Sequence, residues 1–129
     1  MIRWRQIVDS EDIERLLKTY SLYFSEVLGI SQQEALKRLD EFYHGLKDLI
    51  LSNPNIGETV ERLPESCEIK ILKINLYSHR NYDFLMEIIQ ELKVLLWFKQ
   101  ITIDYVVCWQ SKSVIFLTIN FKFNYSHSF

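Results

Sequence analysis

The reactive side chains of this sequence are few and scattered. There are two cysteines, Cys67 and Cys108, and three histidines, His44, His79 and His127. A cysteine nucleophile needs a helix N-terminus or a nearby cation to hold it as thiolate. Cys67 opens one predicted strand and Cys108 lies inside another. Both read as free structural thiols, with a single disulfide as the alternative in an oxidising compartment. The histidines fall on a helix, a loop and the tail, without Cys-x-x-Cys or His-x-x-x-His spacing, so neither a metal nor a cofactor is expected. His79, in Tyr-Ser-His-Arg-Asn between a strand and a helix, is the best-placed lone polar group, though a solvated loop residue explains it more simply. No glycine-rich phosphate loop and no Gly-x-Ser-x-Gly elbow is present. The expectation is a protein without enzymatic activity, catalytic residues or an evident small-molecule substrate.

Nucleic-acid binding has one candidate segment, residues 24–39. Val27 to Leu39 reads like a helix-turn-helix, with Gly29 in the turn and Ala35 behind it. In that alternative, a small DNA-binding regulator, Gln32, Gln33, Lys37 and Arg38 would contact DNA. Arg38 falls where such motifs want an apolar residue, and Glu34, Asp40 and Glu41 would repel phosphates. A sheet that stacks RNA bases needs open aromatics, whereas the open face here offers Thr102, Asp104, Asn120 and Lys122. Aromatic residues make up 14% of the chain. Core packing absorbs most of them, but Trp4, Tyr23, Tyr43, Trp97, Phe98 and Phe129 are hard to bury together. Surplus aromatics mark partner surfaces. These six are the candidate contact residues for protein partners or a homodimer.

Composition and patterning place these groups. A chain of 129 residues, 48% hydrophobic with only three glycines and two prolines, is enough for one domain with a full core, taken as residues 1–129. The net charge of −2 leaves no basic footprint for nucleic acid. No apolar run is long enough to span a bilayer. The start has no secretory h-region, which suggests a cytoplasmic protein, or a periplasm-facing one if a membrane anchor has been removed.

Ser10 as N-cap and Glu11, Asp12 and Glu14 in the first turn predict a helix over 10–28, stopped by Gly29. Ser31 and Glu34 spell a capping box for a second helix over 32–51. Together these form a helical hairpin, residues 10–51. Ser52 to Gly57 breaks the pattern, and residues 58–63 read as one helical turn closed by Pro64.

Residues 67–125 read strand, helix, strand, strand. The strands are Cys67–Tyr77, Ile101–Gln110 and Val114–Phe123, with a helix over 81–98. In the last two strands every odd position is large and apolar, so both odd sets are expected to face one core. That parity demands an odd loop, Ser111-Lys112-Ser113, with Gln110 opposite Val114; a bulge is the alternative. A right-handed crossover would set the first two strands parallel, with the third between them. The expected class is α+β: a helical hairpin followed by β-α-β-β, with a three-stranded antiparallel sheet ordered 1-3-2, half of a ferredoxin-like fold.

Residues 62–125 also resemble the ferredoxin-like module of the inner-membrane assembly-platform proteins of type IV pili and type II secretion systems, namely the pilus-assembly N and O proteins and the secretion M protein. The matching stretches are Arg62 to Glu65, the strand Ile69–Tyr77, the helix Tyr82–Leu92, Trp97 to Ile103, and a long closing strand. Ser78-His79-Arg80 stands where the family usually has a glycine, and the family's membrane helix and coiled coil are not visible. The resemblance implies a bacterial scaffold that dimerises and contacts other assembly proteins.

Overall fold

The computed structural model describes residues 5–75 and 98–123. The chain is α+β. A short strand β1 (Arg5–Asp9) leads into helices α1 (Glu11–Leu28) and α2 (Gln32–Ser52). A 3-10 turn at Pro54–Ile56 follows, then strands β2 (Glu58–Leu63), β3 (Cys67–Asn75), β4 (Phe98–Cys108) and β5 (Ser113–Phe123). The predicted helix 81–98 lies outside the described residues up to its last position, Phe98, which begins β4. Among the described residues, no helix is long and apolar enough to cross a membrane.

Both helices stand where capping and periodicity put them. Gly29 ends α1 at φ 66°, a left-handed conformation glycine adopts without penalty, and its N–H is donated to the Ser25 carbonyl. The Ser31 hydroxyl accepts from the Glu34 amide at 3.1 Å, one half of the expected capping box. The Glu34 carboxylate turns to Arg38 instead, 3.2 Å away. Ser10 occupies the N-cap position of α1 but makes no side-chain cap bond. Its hydroxyl is donated to the Leu117 carbonyl.

Among the described residues the sheet has five strands in the order β1-β5-β4-β3-β2, which corrects the expected three-stranded 1-3-2 arrangement. β3 and β4 are adjacent and antiparallel, in register from Cys67 opposite Cys108 to Asn75 opposite Gln100. They are therefore not the parallel outer strands of a split β-α-β unit. This register sets Leu72 beside Ile103 and Ile74 beside Ile101, four side chains buried on one face. Residues 58–63 are an edge strand rather than a helical turn, because their backbone pairs with β3. β1 pairs in parallel with β5 at the opposite edge.

The parity expectation for the final hairpin fails in its first half and holds in its second. Cys108 lies opposite Ser113, so the turn is the even, four-residue stretch Trp109–Lys112. Near the turn this pairs odd with even positions, and the buried apolar side chains of β5 there are Val114 and Phe116. Ile115 and Leu117 are half-buried on the other face. Between Phe116 and Thr118 the register shifts by one residue. Leu117 is thus the extra residue of a bulge, and beyond it Ile119 and Phe121 face the core opposite Ile103 and Ile101. The amide of Ser10 is donated to the Phe116 carbonyl at 3.0 Å, and its hydroxyl to that of Leu117, so the β1–α1 junction rests on the bulge.

The two helices cover one face of the sheet. Ile13, Leu17 and Phe24 of α1, and Leu39, Phe42, Leu46 and Ile50 of α2, join the inward strand residues in one cluster.

Candidate functional site

α1 carries the exposed surface that best answers the expected aromatic contact patch. Its outward residues Arg15, Lys18, Thr19, Leu22 and Glu26 recur at helical spacing along one exposed stripe. Leu22 is 54% exposed in the middle of it. Beside Leu22 a groove of about 520 Å³ runs between α1 and β5, walled by Tyr20, Tyr23, Glu26, Asn120 and Phe121. The Tyr20 ring meets Phe121 edge-on, with centroids 4.7 Å apart. Its hydroxyl is donated to Asn120 Oδ1 at 2.7 Å and accepts from the Phe121 amide at 3.3 Å. That wall is therefore fixed by hydrogen bonds as well as by packing.

The six predicted contact residues separate. Tyr23 lines the groove. Tyr43 belongs to the core at 2% exposure, so it offers no surface to a partner. Its helical spacing from Leu39, Leu46 and Ile50 was the signal for burial, and its hydroxyl is used internally. Phe98 begins β4. Trp4, Trp97 and Phe129 lie outside the described residues, as do His79 and His127.

The alternative DNA-contacting residues sit at the start of α2. Gln32, Gln33 and Lys37 are exposed, whereas Arg38 is half-buried against Glu34. Gln33 and Lys37 line a cleft of about 590 Å³ between the helices, together with Lys18, Glu14 and Asp40. The two carboxylates give that cleft walls a phosphate would not favour.

Two buried polar networks tie the elements together. At β1, the Asp9 carboxylate accepts from the Tyr43 hydroxyl at 2.6 Å and from Lys47 Nζ at 3.2 Å. Lys47 also lies over the Tyr43 ring, 4.6 Å from its centre. Burial first, and then the Asp9 hydrogen bond, push the Tyr43 phenol far above its usual range. In the second network, the Tyr105 hydroxyl is donated to the Pro54 carbonyl at 2.8 Å and accepts from the Gly57 amide at 3.0 Å. Lys70 Nζ reaches the Gly57 carbonyl at 3.3 Å and Thr59 Oγ1 at 3.0 Å. Burial pushes the Tyr105 phenol up to about 12.

The end of the sheet that carries the β2–β3 and β4–β5 turns gathers a third set of groups. Arg62, Leu63, Ser66, Cys67, Glu68 and Trp109 line a shallow cleft of about 380 Å³. The Trp109 indole N–H is donated to Glu68 at 2.5 Å and holds that carboxyl below its usual range. The two cysteines meet here across β3 and β4, with their sulfurs 2.9 Å apart. Sequence reasoning placed both in strands but had no means of pairing them, because pairing depends on register. Among the described residues, no three His, Cys, Asp or Glu side chains cluster as a metal site would require. No known family model, curated protein or solved structure matches the chain.

Proposed function

We propose that this chain is a protein–protein interaction module that acts by binding rather than by catalysis, and that it self-associates through the exposed stripe of α1. The observation that carries this reading is Leu22, 54% exposed beside an apolar groove on the same patch. A two-fold interface must be complementary to itself. A protruding Leu22 and an adjoining recess meet that condition, since each copy can seat its leucine in the other's groove. Charge agrees with the geometry. In an antiparallel pair of α1 helices centred on Leu22, Lys18 of one copy falls opposite Glu26 of the second. Each buried network described above uses its titratable groups to hold secondary-structure elements together, which is what a binding scaffold requires of them.

A narrower reading, a scaffold component of a pilus or secretion assembly platform, rests on the sequence resemblance of residues 62–125. The adjacency of β3 and β4 lends it no topological support.

Sedimentation equilibrium at micromolar concentration tests self-association. The unmodified chain is expected to form dimers, and Leu22→Asp is expected to weaken dimerisation by more than about tenfold, because it would bury an unpaired carboxylate. Lys18→Glu should weaken the dimer and Lys18→Glu with Glu26→Lys should restore it. A strictly monomeric unmodified chain would overturn the proposed interface.

A further inference from the structure

Cys67 opens β3 and Cys108 closes β4, and they are direct cross-strand partners. The Trp109 amide is donated to the Ser66 carbonyl at 3.2 Å, immediately outside the pair. In an antiparallel ladder a bond at that position marks a non-hydrogen-bonded pair, in which Cα atoms approach to about 4.5 Å. That spacing is within the range a disulfide accepts, roughly 4.4–6.8 Å. The sulfurs stand 2.9 Å apart, so a bond of about 2.05 Å needs only a small further approach. Both thiols are half-buried rather than sealed in the core, and the cleft lined by Arg62, Ser66 and Trp109 opens beside Cys67.

The backbone around the pair is also distinctive. Glu65 at φ 61°, Ser66 at φ 59° and Lys112 at φ 51° adopt left-handed conformations without being glycine. Among the described residues these are the only such non-glycine positions, and all three lie in the two turns that flank the cysteines. Side chains in that region cost energy and persist only where the surrounding structure holds them.

We propose that Cys67 and Cys108 form a reversible dithiol–disulfide site, oxidised by exchange with a low-molecular-weight disulfide of the glutathione class, with Cys67 attacking first. The Cys67 thiolate attacks one sulfur of the small disulfide. The S–S bond of that molecule breaks and its other sulfur leaves as a thiolate, which takes up a proton. Cys108 then loses its proton and attacks the Cys67 sulfur of the mixed disulfide. The second small thiolate leaves and is protonated in turn. Two protein thiols are oxidised to one disulfide, and one small disulfide is reduced to two thiols. Geometry supports the order, because Cys67 borders the cleft and Cys108 does not. The shared hydrogen bond with Cys67, and then burial, push the Cys108 thiol above its usual range, which agrees with Cys67 as the first nucleophile.

The full chain incubated with oxidised glutathione, then alkylated and weighed, tests this. The expected product is a monomer lighter by two hydrogens, with no thiol left to alkylate and a linked pair of peptides containing Cys67 and Cys108. Reduced glutathione should return both thiols. Cys108→Ser should stop at one glutathione on Cys67, and Cys67→Ser should react with oxidised glutathione severalfold more slowly than Cys108→Ser, because Cys108 lies outside the cleft that Cys67 borders. Two alkylatable thiols after exposure to excess oxidised glutathione, stable attachment of glutathione to the unmodified chain, or disulfide-linked dimers in place of the internal bond would each overturn the proposal. Faster reaction of Cys67→Ser than of Cys108→Ser would overturn the assigned order.

Discussion

Two buried lysines answer the same problem in different ways. Lys47 is 7% exposed and reaches a carboxylate, Asp9, brought by an edge strand from 38 residues away in sequence. Lys70 is 3% exposed and reaches a carbonyl and a hydroxyl, supplied by the neighbouring edge strand and the turn before it. Each lysine fastens an edge of the sheet, and each is accompanied by a buried tyrosine. The difference is where the opposite charge lies. Asp9 touches Lys47 directly, whereas Glu68 feels Lys70 without a bond between them. Removing a charge should therefore be costly in the first network and mild in the second. An ion pair that loses one member leaves the other buried and uncompensated, but a lysine on neutral acceptors gives way to an apolar chain of similar length more easily.

That contrast can be broken by substitution. Asp9→Asn is expected to lower stability by about 3–5 kcal/mol, since it strands Lys47. Lys70→Met should change stability by less than about 1 kcal/mol in either direction. Urea unfolding of both variants checks the pair, and equal losses would abolish the distinction. Gly57→Ala ranks next. A Cβ there would stand 2.6 Å from the Tyr105 hydroxyl and 2.9 Å from the Ile71 carbonyl. Because one of those atoms is backbone, a loss of about 1–3 kcal/mol is expected, read from the same unfolding curves. Combining Gly57→Ala with Tyr105→Phe should recover part of it.

A further effect is one of pH. The Tyr105 phenol is raised from 10.0 to about 12 in the folded chain. The folded state holds that proton more tightly than the unfolded state does. Its contribution is complete below pH 10 and falls as pH rises towards 12, by up to about 1.4 kcal/mol per pH unit. The Tyr43 phenol is shifted the same way and steepens the decline. Tyr105→Phe should flatten the alkaline slope measured by unfolding between pH 10 and 12, and an unchanged slope would show that this tyrosine is not responsible.

Both helices and the three long strands were legible because each carries a full face of apolar residues at its own period. Gly29 and Ser31 also marked their boundaries chemically. The edge strands were not. All of Glu58–Leu63 but its last residue is exposed, so no alternation distinguishes β2 from a solvated turn. β1 enters its helix after a single residue, with no hairpin signal to announce it. A bulge was open as the alternative to an odd loop, but its place at Leu117 was not legible, for a different reason. Parity ties loop length to bulges, and an even turn with one extra residue satisfies the same hydrophobic pattern as an odd turn without one. The expected contact residue Tyr43 failed because aromatic surplus says nothing about which aromatic is left over. Leu22, which stands at the centre of the candidate interface, carried no signal beyond being a leucine on the polar side of an amphipathic helix.

The parallel pairing of β1 with β5 has a mechanical consequence. Arg5 lies beside Ser113, so the described chain enters β1 at the end of the sheet where β5 begins. It leaves at Phe123, at the other end of β5. Tension applied between those two points would pull β1 and β5 in opposite directions along their length. The hydrogen bonds between them, with the two from Ser10 to the bulge, would be sheared together rather than peeled apart singly. The shortest of the described strands is thus the one placed to resist tension between Arg5 and Phe123.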